Sequence, residues 1–369
     1  MAISDPTPRT DERRWLALLG LGALAGAGLI VWLGRDATFF HDEWWYICGR
    51  ALSDPSSWLL PHNEHLVVLH VVAYRALVEV FGLGSYLPFH LALVLTHLGV
   101  VSGVYAVVRQ QTGRWPAAGA AAVMLVLGTG YLNLFWAFQI GFVGATALGL
   151  WALACLPGRP RLAALLLVAA VATQGVGLFF VAAAGAYLLA AGRIRAIGWL
   201  VIPAATYAVW ALLYRSSIDV RGHVDLAGVP KFAAKGLIAS AAATIGVGTV
   251  GAAVAAGLIV VSRPRAWRSP LVIGCAAGIL AEFALIGAVR QDFGAPNAPH
   301  YLYVGAAFLL PIAATLLGSA RLRWVGPILF AVAFSANLFL LVDHGLDWKA
   351  STDAQRAKGS DVVPPGVCR

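Results

Sequence analysis

The chain has 369 residues, is 60% hydrophobic and 12% charged, and carries a formal charge of +9. Soluble domains carry about 25% charged residues, so the composition excludes a soluble globular protein and leaves no stretch for a separate soluble domain. The basic residues sit in short turns between apolar runs, which excludes a nucleic-acid-binding chain and is how membrane proteins set their orientation.

Residues 1–14 are polar, with Arg9, Arg13 and Arg14. The apolar run from Trp15 to Leu33 is long enough to span a bilayer and lacks a small-residue cleavage site, so it reads as a first helix entering from the cytoplasm. A large first extracytoplasmic loop, residues 34–85, follows. It opens with Phe39-Phe40-His41-Asp42-Glu43-Trp44-Trp45-Tyr46, two adjacent acids beside a histidine, with aromatics suited to the headgroup layer. On a helix Glu43 points about 100° away from Asp42, so one acid can face a cavity while the other pairs or caps. The same loop carries Pro61-His62-Asn63-Glu64-His65. Carboxylates and histidines in this arrangement can serve as a general base, bind a cation or hold sugar hydroxyls; the alternative reading is helix capping, by Asp42 and by Asn63.

Residues 65–81 resemble a short span, but His70, Arg75 and Glu79 are awkward in hydrocarbon. Counting them as a span would also turn eleven arginines outward: Arg109, Arg114, Arg159, Arg161, Arg193, Arg195, Arg263, Arg265, Arg268, Arg321 and Arg323. The segment therefore reads as an amphipathic helix at the outer interface, with Arg75 and Glu79 paired four residues apart. The loop thus holds two juxtamembrane helices.

The predicted fold is all-α, a polytopic transmembrane bundle of about eleven spans: 15–33, 86–108, 115–131, 138–156, 161–173, 175–191, 197–214, 237–261, 270–289, 301–318 and 325–342. The N-terminus is cytoplasmic. Residues 1–350 form one unit, and 351–369 an extracytoplasmic tail without order. Of seventeen acids only Asp5, Asp11 and Glu12 fall inside; the remaining fourteen crowd the outer side, where a polar site is expected. Further candidates there are Arg290, His300 and Tyr301, whose guanidinium and imidazole suit a phosphate, and Arg221 with Lys231, a basic outer patch. His90, His97, Gln139 and Glu282 lie within spans, His90 and His97 on one face. Of the four cysteines, Cys48 and Cys368 fall on the same side, which allows a disulfide, and none shows metal-ligand spacing.

At these residues the chain resembles the GT-C superfamily of integral membrane glycosyltransferases, which includes protein mannosyltransferases, aminoarabinose transferases and actinobacterial arabinosyltransferases. Asp42-Glu43 matches the family's acidic motif after helix 1, Pro61 to Gly82 its second juxtamembrane segment, and Arg109 to Arg114 its basic cytoplasmic turn. His300-Tyr301 stands where related chains often have Arg-Tyr. The resemblance implies an inverting sugar transfer from a polyprenyl-phosphate donor to a glycan, lipid or protein acceptor at the outer face of the plasma (inner) membrane. It implies Asp42 as base with Glu43 or Glu64 in support, and Arg290 and His300 at the phosphate. No cofactor is required; a divalent cation (Mg, Mn or Ca) would use Asp42, Glu43 and Glu64. The rival readings are a lipid or small-solute transporter or flippase, and a non-catalytic membrane assembly protein. A transporter needs polar groups near the midplane, whereas these crowd one side.

Overall fold

In hydrocarbon a backbone must satisfy its own N–H and C=O groups, so long apolar runs become helices. The computed structural model describes residues 9–218, 226–261, 264–290, 295–318 and 324–357. The helices are α1 (Arg9–Gly34), α2 (Glu43–Cys48), α3 (Pro55–Leu59), α4 (Val68–Phe81), α5 (Leu87–Gln111) and α6 (Arg114–Leu125). They continue with α7 (Leu132–Phe135), α8 (Ile140–Cys155), α9 (Pro160–Thr173), α10 (Val176–Ala190), α11 (Ile194–Ile197) and α12 (Val201–Leu213). The last are α13 (Val229–Ile245), α14 (Gly248–Val261), α15 (Pro264–Trp267), α16 (Pro270–Arg290), α17 (Pro299–Gly318) and α18 (Val325–Ala357).

Among the described residues, seven helical stretches are long and apolar enough to cross a membrane, and eight if a bent pair counts as one span. The protein is an all-α, multi-pass membrane protein. Each of the eleven expected segments holds a helix, but four depart from a plain span. α9 and α10, of 14 and 15 residues, are shorter than a full crossing. The expected span 237–261 is broken, with α13 and α14 bent by 99°. The break falls at Gly246, whose φ of +81° suits a residue without Cβ, and a Cβ there would meet Asn337 Nδ2 at 2.9 Å. The expected span 115–131 ends at Leu125, and short turns of helix carry the chain to Gln139.

Side chains from neighbouring helices meet the backbone groups these breaks release, as membrane burial requires. His97 Nε2 donates to Leu125 O at 3.1 Å while its Nδ1 accepts from Tyr303 Oη at 2.7 Å. His90 Nε2 donates to Leu134 O at 2.9 Å. Asn337 Nδ2 donates to Thr244 O at 3.2 Å, and its Oδ1 accepts from Thr129 Oγ1 at 3.3 Å. His90 and His97 are thus fully buried structural ligands of irregular backbone.

The first loop is not a loose connection. It has its own apolar core, in which Phe39, Tyr46, Val71, Tyr74, Phe89 and Phe138 are buried together. Trp44 and Tyr46, expected at the headgroups, are buried in it or at its edge; Trp45 is exposed. α18 also corrects the sequence reading. It runs to Ala357, so residues 351–357 continue a helix where a tail was expected. Its last turns have partners to hold them: Lys349 pairs with Asp36 at 2.9 Å, and Trp348 packs on Phe40 and Phe135. Cys48 is disulfide-bonded and Cys155 and Cys275 are free; Cys368 lies outside the described residues.

Candidate active site

The two acids after α1 diverge, as the helical geometry of adjacent residues demands. The Glu43 side chain points inward and the residue has no solvent exposure. Tyr74 Oη donates to its Oε1 at 2.6 Å, Tyr86 Oη at 2.9 Å, and the Phe40 N–H to Oε2 at 2.9 Å. Burial pushes its carboxyl up to about 7, against the hydrogen bonds from Tyr74, Phe40 and Tyr86. Glu43 therefore holds the loop core together, with no lone pair turned to a substrate. Asp42 occupies the N-cap position of α2 but makes no side-chain capping bond. Its side chain is 43% exposed, and His62 Nε2 lies 3.8 Å from its Oδ2.

His62 brings the second motif to the first. Its ring packs edge-on to Tyr46 and Phe138, 5.2 and 5.5 Å between centroids. A tight turn follows, closed by His62 N–H to His65 O at 3.2 Å and His65 N–H to His62 O at 3.1 Å. Asn63 sits in it with φ +55°, and His41 precedes Asp42 with φ +52°. Among the described residues these are the only non-glycine positions with positive φ. That conformation costs a residue with a Cβ about 1–2 kcal/mol, so backbone strain is concentrated beside both acids. α4 starts only at Val68, so Asn63 is not its cap.

The turn aims Glu64 across to the end of α16. Arg290 Nε donates to Glu64 Oε1, and His65 Nε2 lies 3.4 Å from the same oxygen. Burial raises the Glu64 carboxyl, but Arg290, with His65 beside it, outweighs this and holds it below its ordinary value. Burial drives His65 down to about 4, so its ring is neutral at pH 7. Tyr207 Oη donates to Glu64 O at 2.9 Å, and Arg290 is hydrogen-bonded to Tyr301. Gly175, at the turn between α9 and α10, leaves room for His65; a Cβ there would lie 2.5 Å from His65 Nδ1.

These groups rim a cavity of about 280 Å³. Glu64, His65, Gln174, Tyr207, Arg290 and Tyr301 supply its polar edge, and Phe142, Val176, Phe179, Leu285, Ile286 and Val289 its apolar walls. The cavity is amphiphilic, with charge at one end.

The remaining expected residues fall elsewhere. His300 packs between Phe142 and Tyr301, behind the cavity wall. His41 is exposed and meets Phe40 and Trp136 edge-on. Lys231 is exposed in the first turn of α13 and is not among the cavity's lining residues. Arg221 lies outside the described residues. Asp42, Glu43 and Glu64 do not converge on one point, and Glu43's oxygens are already filled, so a cation cage of all three is not built. Sequence reasoning missed Tyr74, Tyr86 and Tyr207, and read Gln174-Gly175 as a short outer turn without a part in the site.

No family model matches the chain, and no curated protein matches it. Among solved structures, the crystal structure of ArnT from Cupriavidus metallidurans bound to undecaprenyl phosphate is similar, with a TM-score of 0.55 and 15% identity, over 94% of this chain and 79% of that one. The chain has the GT-C fold. Within that fold the first loop, with Asp42 and Glu64, meets the end of α16 at Arg290.

Proposed function

We propose that this chain is a membrane glycosyltransferase, moving a sugar from a polyprenyl-phosphate donor to an acceptor hydroxyl with inversion at C1. One observation carries the reading: on a GT-C fold, an amphiphilic cavity is rimmed by Glu64 and Arg290, and His62, at the start of the tight turn that presents Glu64, lies 3.8 Å from Asp42. The donor's phosphate lies against Arg290 and Tyr301, a guanidinium presenting two donors to it. Its isoprenoid chain lies along Phe179, Leu285 and Val289 and leaves sideways into lipid.

Asp42 is the base. As the acceptor oxygen bonds to C1, its proton passes to the Asp42 carboxylate. The C1–O bond to phosphate breaks, and the phosphate departs with the electron pair, neutralised by Arg290. The sugar passes through an oxocarbenium-like state, as in other glycosyl transfers. Glu64 competes with the phosphate for Arg290, so an arriving donor frees Glu64 to hold the acceptor or sugar hydroxyls. Glu43 supports Asp42 by fixing the loop. The site faces outward from the plasma (inner) membrane, and the acceptor is a glycan, lipid or protein hydroxyl.

The experiment is mass spectrometry of lipid-linked sugars and envelope glycans from a strain lacking this chain. A sugar should be missing and its lipid-linked precursor accumulated. Wild type should restore the product and Asp42→Asn should not, at equal expression. Full restoration by Asp42→Asn would remove the base assignment.

A further inference from the structure

The α9–α10 hairpin is anchored at one end and short at the other. At 1.5 Å per residue, its 14 and 15 residues rise about 21–23 Å, against about 30 Å of hydrocarbon. Its turn at Gly175 is fixed beneath His65 at the candidate site. A stretch this short is met by local thinning of the bilayer, which brings the phosphates and glycerols of the opposite leaflet to the far end of the hairpin.

That end carries Arg159, Arg161, Arg193 and Arg195. Among the described residues none of the four pairs with a carboxylate. Arg193 is fixed in place, its Nη1 donating to Leu156 O at 2.5 Å and Pro157 O at 2.9 Å. The Arg161 guanidinium lies over the Trp199 ring, 5.1 Å from its centroid. Arg195 is exposed. Between these groups opens a cavity of about 530 Å³, lined by Arg193 and Arg195 with Pro160, Gly192, Ile194 and Trp199 around them. Beside it, Leu162, Leu189, Ile194 and Val201 present exposed apolar side chains.

We propose that this cavity binds the phosphate of an anionic glycerophospholipid from the leaflet opposite the candidate site. Arg193 and Arg195 clamp the phosphate, since planar guanidinium forks match its oxygens. Trp199, held by Arg161, takes the glycerol level, where amphipathic rings reside. Leu162, Leu189 and Ile194 receive the acyl chains. A free phosphate shares the anionic chemistry but makes no use of those apolar neighbours, which favours the lipid. The site is independent of the transfer chemistry, because it lies at the other end of the helices that reach the candidate site.

Native mass spectrometry of the full, delipidated chain tests this, with phosphatidylglycerol, phosphatidylcholine and inorganic phosphate as probes. Wild type should bind its first phosphatidylglycerol at least tenfold more tightly than R161A/R195A, and more tightly than phosphatidylcholine. R195K should keep most of the preference, and R109A/R114A, on another arginine turn, should keep all of it. Should the double variant fail to fold, R195A alone is measured, because its exposed side chain makes no hydrogen bond among the described residues. Equal phosphatidylglycerol binding by wild type and the variants that replace Arg195 with alanine would overturn the proposal. Displacement of the lipid by millimolar inorganic phosphate would overturn the assignment to a lipid.

Discussion

Glu43→Gln removes one charge from the loop core and keeps its shape. Burial raises the Glu43 carboxyl from 4.5 to about 7, and each unit corresponds to 1.36 kcal/mol, so the shift amounts to about 3 kcal/mol. The sign follows from proton counting. The folded chain binds this proton more tightly than the unfolded chain, so its contribution is full below pH 4.5. It is lost as the pH rises toward 7, and stays lost above. Glutamine has no such dependence; its oxygen still accepts from Tyr74 and Tyr86, and its NH2 group replaces the acceptor of the Phe40 N–H. The assay is thermal unfolding in detergent from pH 4 to 8 for both proteins. Wild type should lose stability relative to the variant between pH 4.5 and 7, by about 3 kcal/mol in total. Parallel curves across that range would refute a buried, proton-holding Glu43. Sugar transfer by the variant should fall less than tenfold, which separates Glu43 from Asp42.

His70 works in the opposite direction. Burial holds it down to about 3, so its share of stability is present above pH 6.5 and lost as the pH falls toward 3; His70→Gln should flatten that loss in the same thermal series. Gly175→Ala places a Cβ 2.5 Å from His65 Nδ1 and should cost about 1–3 kcal/mol of stability by overpacking, read as a lower melting temperature together with weaker donor binding. Tyr74→Phe leaves Glu43 one donor short and should cost about 1–3 kcal/mol, read by thermal unfolding at pH 8, where the carboxyl is ionised.

The fold was legible where the sequence is monotonous. Apolar runs bounded by arginine turns gave the helices, and the pairing of Arg75 with Glu79 stands at 2.6 Å. The breaks were not legible, because the groups that stabilise them lie far off in the chain: Asn337 serves the end of α13, and His97 serves Leu125. In the site, Asp42, Glu64 and Arg290 could be named from the sequence because charges stand out in an apolar chain. The division of labour between Asp42 and Glu43 could not, since it depends on Tyr74 and Tyr86, 31 and 43 residues downstream of Glu43. Nor could the Glu64–Arg290 pair, which joins residues 226 positions apart. At His300-Tyr301 the residue that lines the cavity is Tyr301.

Binding of undecaprenyl phosphate, the bare carrier that such a reaction releases, is the measurement on which the proposed function rests. It is made with the purified chain in detergent, comparing wild type with Arg290→Ala and Glu64→Gln. Wild type should bind the lipid, Arg290→Ala should bind at least tenfold more weakly, and Glu64→Gln, with the competitor for Arg290 gone, should bind more tightly. Equal affinity in all three proteins would contradict a phosphate at Arg290.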